Sequence, residues 1–159
     1  MKESAGLLVH RDRDGEIEVL LVHPGGPYFA KKDDGAWSIP KGEFVAPEDP
    51  GAAARREFTE ETGWCASAPL TPLGTIRMRS GKTVHAFAMA GDFDPATARS
   101  NTFEIEWPPR SGKRRAFPEI DRAAWFPLVE ARRKINAAQA PLLDRLIGSE
   151  GAAVTRADC

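Results

Sequence analysis

Cysteine is nearly absent from this chain. Of 159 residues only Cys65 and Cys159 are cysteines, in neither a C-x-x-C run nor a zinc-ligand spacing. A reducing compartment is the simpler reading. No window of 18 apolar residues occurs, and the apolar run in MKESAGLLVH is too short for a signal peptide. A membrane span is therefore not expected, and the cytoplasm is the expected location. Charge of one sign is missing too. The net charge is −1, which implies no general attraction to nucleic acid or acidic membrane. There are three histidines and one tyrosine, and no internal repeat.

What remains is the composition of an ordinary soluble globule, 42% hydrophobic and 28% charged. Its length suits one domain, expected over residues 1–148, with a disordered tail from Ser149 to Cys159 that lacks periodicity. Residues 4–10 and 16–23 are apolar runs around Asp12-Arg13-Asp14-Gly15, a hairpin signal. His10 and His23 end these runs and are expected to be partly exposed. A long loop, Pro24 to Gly35, follows. Further strands are expected at 69–78, 83–89, 102–107 and around Ala123–Phe126. Pro127 then opens a helix through Ile135, and a short helix ends at Gly148.

The chain is organised around Gly42 to Trp64, GEFVAPEDPGAAARREFTEETGW. Asp49 suits an N-cap, Pro50 the first helical position and Gly63 a left-handed C-terminal cap. Within that helix Glu57, Glu60 and Glu61 fall at i, i+3 and i+4, on one arc of its surface. Like charges this close repel, and no lysine stands among them, so the cluster points to a cation. Carboxylates at this density, without nearby Cys or His, suit Mg²⁺ or Mn²⁺. An ordinary solvated helix face is the competing account.

The stretch resembles the Nudix box, G-x5-E-x7-R-E-U-x-E-E-x-G-U with U a bulky apolar residue. Gly42, Glu48, Arg56, Glu57, Phe58, Glu60, Glu61, Gly63 and Trp64 fill its positions. The resemblance implies an α/β fold, a mixed β-sheet in an α/β/α sandwich, and a Nudix hydrolase acting on acid anhydrides. It further implies metal binding by Glu57, Glu60 and Glu61, a supporting place for Glu48, and Arg56 orienting the glutamates. Gly42 and Gly63 then serve backbone geometry. A general base outside the box is expected, with Glu119 the candidate and Glu104 and Glu106 its rivals.

For the substrate, the W-x-x-P-K-G lead-in at Trp37 to Gly42 resembles hydrolases of nucleoside triphosphates or dinucleoside polyphosphates. The coenzyme A, ADP-ribose and NADH signatures of the family are absent, as is the tyrosine frequent in its diadenosine polyphosphate group. Lys41 either meets a phosphate or is simply solvated. Arg77 and Arg79 alternate with Ile76 and Met78 and face either phosphates or water. Tyr28 and Phe29 either stack on a base or anchor their loop. Arg110 to Arg115 holds four bases in six residues, as a solvated loop or a polyphosphate clamp. A small-molecule nucleotide is the expected partner. A Nudix module that senses a nucleotide without cleaving it is the alternative.

Overall fold

A computed structural model describes residues 3–149. The expected tail therefore lies outside the described residues, except Ser149, which is helical. Strands β1 (Glu3–Arg13) and β2 (Glu16–Pro24) pair through the two-residue turn Asp14-Gly15, both at positive φ, 52° and 84°. That combination matches the right-handed twist of a hairpin. Strand β3 (Lys41–Phe44) pairs antiparallel with Glu3–Gly6 of β1. Helix α1 (Pro50–Thr62) follows, then β4 (Thr71–Arg77) and β5 (Thr83–Ala90). Strands β6 (Thr102–Glu106) and β7 (Arg114–Pro118) form a separate hairpin, and β8 (Ile120–Pro127) returns to the main sheet. Helices α2 (Leu128–Lys134) and α3 (Pro141–Ser149) end the described chain.

The main sheet runs β4-β5-β1-β2-β8, with β3 beside β1. It is mixed, because β1 and β5 are parallel while the other pairs are antiparallel. Successive side chains of a strand face opposite sides, so an apolar run in a central strand serves two cores. Leu7, Val9 and Leu20 pack with Ala53, Ala54 and Phe58 of α1 on one face. Leu8, Val19 and Leu21 pack with Ala131, Leu142 and Leu146 of α2 and α3 on the other. The result is the α/β/α sandwich expected.

Three local expectations are corrected. His23 is fully buried, 0% exposed, because the loop after β2 folds back over it. Its Nδ1 lies 2.9 Å from Asp121 Oδ1 and its Nε2 2.6 Å from the Lys32 carbonyl. Arg114 and Arg115 begin β7 rather than lying in a loop, since β6 offers a free edge for pairing. Helix α3 runs through Gly148 to Ser149. Among the described residues no helix is long and apolar enough to cross a membrane.

Candidate functional site

Helix α1 is fixed at both ends and along one side. Asp49 accepts a hydrogen bond from the Ala52 amide at 3.1 Å, and Gly63, at φ 80°, donates from its amide to the Thr59 carbonyl. Ala53, Ala54 and Phe58 face the sheet, which leaves Glu57 and Glu61 along the edge that meets β3. The approach is close at Gly42. A Cβ there would stand 1.9 Å from Glu57 Oε2, so no larger residue fits without moving the carboxylate.

Lys41 donates its backbone N–H to Glu61 Oε1 at 3.2 Å. Both residues line a cavity of about 180 Å³, with Glu119, Ser38 and the apolar Val22, Pro24, Ile39 and Ile120. Burial pushes the Glu61 carboxyl up to about 8; Glu119 and Glu57 add to the rise, while the Lys41 amide and charge oppose it. Burial likewise lowers the Lys41 ammonium, and nearby Lys82 adds to that lowering. The Glu57 carboxyl is raised by burial despite Arg56, with Glu60 contributing. Burial and then Glu60 raise Glu119. Four acidic side chains therefore interact through one another's fields, with Lys41 and Arg56 offsetting only part of their charge.

Arg56 organises the other end. Its Nε and Nη2 each donate to Glu48 at 2.8 Å, and Nη1 donates to Glu57 Oε1 at 2.8 Å and Glu60 Oε2 at 3.1 Å. These charge-assisted bonds hold the guanidinium firmly protonated and keep the Glu48 carboxyl below its usual range. Glu48 is thus occupied in orienting Arg56. Among the described residues no three His, Cys, Asp or Glu side chains close on a common point for an ion. The donor set nevertheless fits a hard cation: every group is a carboxylate, and the half-buried Glu61 and buried Glu57 are both held above the usual carboxylate range. Rotating Glu57 and Glu60 away from the shared Nη1 would free oxygens beside Glu61.

Glu119 is held by its backbone. Its amide donates to the Asn101 carbonyl at 2.9 Å, and its carbonyl accepts from the Gly25 amide at 2.9 Å. The Asn101 amide in turn donates to the Glu60 carbonyl of α1 at 3.1 Å. Glu104 and Glu106 project from the hairpin instead, where Glu104 pairs with Arg114 and Glu106 accepts the Arg110 and Gly112 amides.

Of the expected substrate contacts, Lys41 is at the cavity. Arg77 donates to the Gly81 carbonyl within its own hairpin, and neither Arg77 nor Arg79 lines the cavity. Tyr28 lies against Trp107. Sequence reasoning missed Lys82, which pairs with Glu43 beside Lys41, and missed the apolar lining from β2 and β8. It also missed Gln139, which is fully buried. Gln139 accepts the Ile39 amide at 3.0 Å and donates to Ser38 Oγ at 2.9 Å, fixing the cavity wall. No local signal in the sequence marks a pairing 100 residues apart.

The family model described as NUDIX domain matches residues 2–146. Among curated proteins, an octanoyltransferase of Myxococcus xanthus is 29% identical over 132 residues, 83% of this chain. The chain spans about a third, 32%, of the length of that relative. A Caenorhabditis elegans Ap4A hydrolase, solved as a binary complex, superposes with a TM-score of 0.66 at 22% identity, over 92% of this chain and 97% of its own. The NUDIX domain of Shewanella oneidensis NrtR, solved with ADP ribose, gives 0.62 at 15% identity, over 92% and 86%. The MutT protein of Methanosarcina mazei gives 0.59 at 19% identity, over 93% and 94%. At these identities the three structures support the fold alone.

Proposed function

We propose that this chain, which belongs to the Nudix family, is a hydrolase that cleaves the pyrophosphate bond of a phosphate-rich nucleotide with a divalent cation. A nucleoside triphosphate or a dinucleoside polyphosphate is the class favoured. The observation that carries this reading is the carboxylate cluster of Glu57, Glu60 and Glu61, of which Glu57 and Glu61 are held above the usual carboxylate range beside Lys41.

Glu57, Glu60 and Glu61 would hold Mg²⁺ or Mn²⁺. Such a cation offsets phosphate charge and makes water a better nucleophile near neutral pH. The rest of the chemistry belongs to the chain. Lys41 binds a phosphate oxygen at the cavity mouth. Arg56, anchored by Glu48, sets the direction of Glu57 and Glu60 and touches no substrate. Glu119, raised by burial and clamped through its backbone, is the group proposed to take the proton from the attacking water. The domain is taken as residues 1–148.

One observation favours a second reading, a nucleotide-sensing module without catalysis. Arg56 takes oxygens of both Glu57 and Glu60 with a single Nη1. The two readings separate by measuring product formation, with chromatographic identification, from triphosphates, dinucleoside polyphosphates, nucleotide sugars and ADP-ribose in Mg²⁺. Wild type and Glu61→Gln are compared. Cation-dependent turnover of one class, lost in the variant, is expected. Tight nucleotide binding with no turnover above the variant's would overturn the hydrolase in favour of the sensor.

A further inference from the structure

His23 is a fully buried polar side chain for which the chemistry above has no use. Its chain neighbours Val22 and Pro24 line the cavity with Glu119 and Ile120. The His23 ring does not. It lies edge-on to Trp37, with centroids 5.2 Å apart, and Trp37 belongs to the core beneath α2 and α3. Asp121 of β8, two residues past Glu119, holds Nδ1 at 2.9 Å. The carbonyl of Lys32, in the loop that follows β2, holds Nε2 at 2.6 Å.

Both ring nitrogens thus meet acceptors. A carbonyl cannot donate, so Nε2 must carry a hydrogen, and a second hydrogen must lie between Nδ1 and Asp121. A neutral ring beside an ionised Asp121 supplies only one. One contact would then set lone pair against lone pair, at a ring with no exposed surface, and such a bond is lost. The other charged groups around the ring are engaged elsewhere. Arg122 lies over the Trp37 ring at 5.2 Å and donates to Asp121 Oδ1 at 3.4 Å. Asp33 accepts from Trp37 Nε1 at 2.8 Å and pairs with Lys134 of α2. The Lys32 ammonium lies over Phe29 at 5.4 Å.

The two bonds join the loop to β8 behind Glu119. The backbone clamp on Glu119 has one side in that loop, through the Gly25 amide, so its firmness depends on what holds the loop down. The far end of the loop is tied to α2, by Asp33 to Lys134 and by the Gly35 amide to the Arg133 carbonyl. His23 ties it to β8, at the point where the β2–β8 register shifts between His23 and Pro24. We propose that His23 is a positioning residue for Glu119: hydrogen-bonded through both nitrogens it locks the loop onto β8 and keeps Glu119 at the cavity, and loss of one hydrogen from the His23–Asp121 pair at higher pH opens the lock. The use made of Glu119 rests on the hydrolase reading above; the lock itself does not.

The test compares wild type, His23→Gln and Asp121→Asn. An asparagine amide can donate to Nδ1 of a neutral ring, so in Asp121→Asn both contacts survive whatever the pH. Nitrogen NMR of the labelled His23 ring counts its hydrogens between about pH 5 and 9, and amide exchange follows the loop. In wild type one hydrogen should leave as pH rises, while the protection of the 25–35 amides falls at least about tenfold. In Asp121→Asn that protection should stay level. With ATP and diadenosine tetraphosphate in Mg²⁺, the kcat of wild type relative to Asp121→Asn should fall along the same curve, with KM little changed. His23→Gln should lower kcat at least about tenfold at the acid end. If the ring and the loop behave as stated but no nucleotide of the panel above is cleaved, the lock stands and the hydrolase reading falls. If turnover is intact and the ring keeps one hydrogen throughout, or the kcat ratio ignores its titration, the proposal is overturned and the hydrolase stands.

Discussion

Replacing Glu61 by glutamine should stabilise the cation-free protein while removing its activity. In the folded state the Glu61 carboxyl is pushed from an ordinary 4.5 up to about 8, chiefly by burial. Folding therefore favours its protonated form, so the native state binds more protons than the unfolded chain between these values. The contribution of Glu61 to stability is most favourable below pH 4.5, falls as pH rises toward 8, and levels off above. At about 1.4 kcal/mol per factor of ten, the ionised form costs at most roughly 5 kcal/mol. Relaxation and water entry should reduce this to about 2 kcal/mol, or about 4–8 °C in Tm for a domain of this size. Glutamine keeps an oxygen for the Lys41 amide and never ionises. Thermal unfolding in chelator should then show Glu61→Gln above wild type by several degrees at pH 8.5 and level with it at pH 4.5. Saturating Mg²⁺ should raise wild type and leave the variant unmoved. A Tm difference independent of pH in chelator would refute the assignment of burial as the cause.

Gly42→Ala places a methyl group 1.9 Å from Glu57 Oε2; it should cost about 1–3 kcal/mol by denaturant unfolding and lower kcat at least tenfold. An unchanged kcat would show that Glu57 need not keep its place. Arg56→Lys cannot reproduce the paired bonds to Glu48 together with those to Glu57 and Glu60. It should weaken Mg²⁺ binding in calorimetry by about 10-fold or more, the loss expected when an orienting partner is removed. Asp49→Ala removes the cap of α1 and should cost about 1 kcal/mol in chemical unfolding with KM little changed. Gln139→Leu should perturb the Ser38–Ile39 wall, costing about 1–3 kcal/mol and raising KM more than it lowers kcat in steady-state assays.

What could be read in advance was local. Asp49 and Gly63 cap α1 through partners no more than four residues away, Ala52 and Thr59, and caps of that kind are written in neighbouring positions. The apolar runs of β1 and β2 and the Asp14-Gly15 turn were equally plain. Tertiary pairings were not. His23 looks like any strand-end histidine until Asp121, 98 positions away, supplies its partner. Arg114 and Arg115 belong to a charged stretch, and only the edge of β6 turns them into a strand. Within the site Glu57, Glu60 and Glu61 were legible because their spacing is helical, whereas Gly42 and Glu48, outside α1, were legible only through the resemblance to the box. The apolar cavity lining comes from β2, β8 and the segment before β3, which no single period connects.

The hydrogen bonds that join Asn101 to Glu119, and both to the frame, mean that residues 102–118 form a closed excursion. The chain leaves and returns at nearly the same point, so the length and composition of the excursion are not constrained by the main sheet. Loop closure penalises added residues only weakly, about 0.6 kcal/mol for each doubling of length. An enzyme built this way can lengthen, shorten or repaint its arm while Glu119 stays registered against α1. The arm can therefore diverge while Glu119, the proposed proton-transfer group, keeps its place, and exchanging residues 102–118 between relatives offers a way to change the one without rebuilding the other.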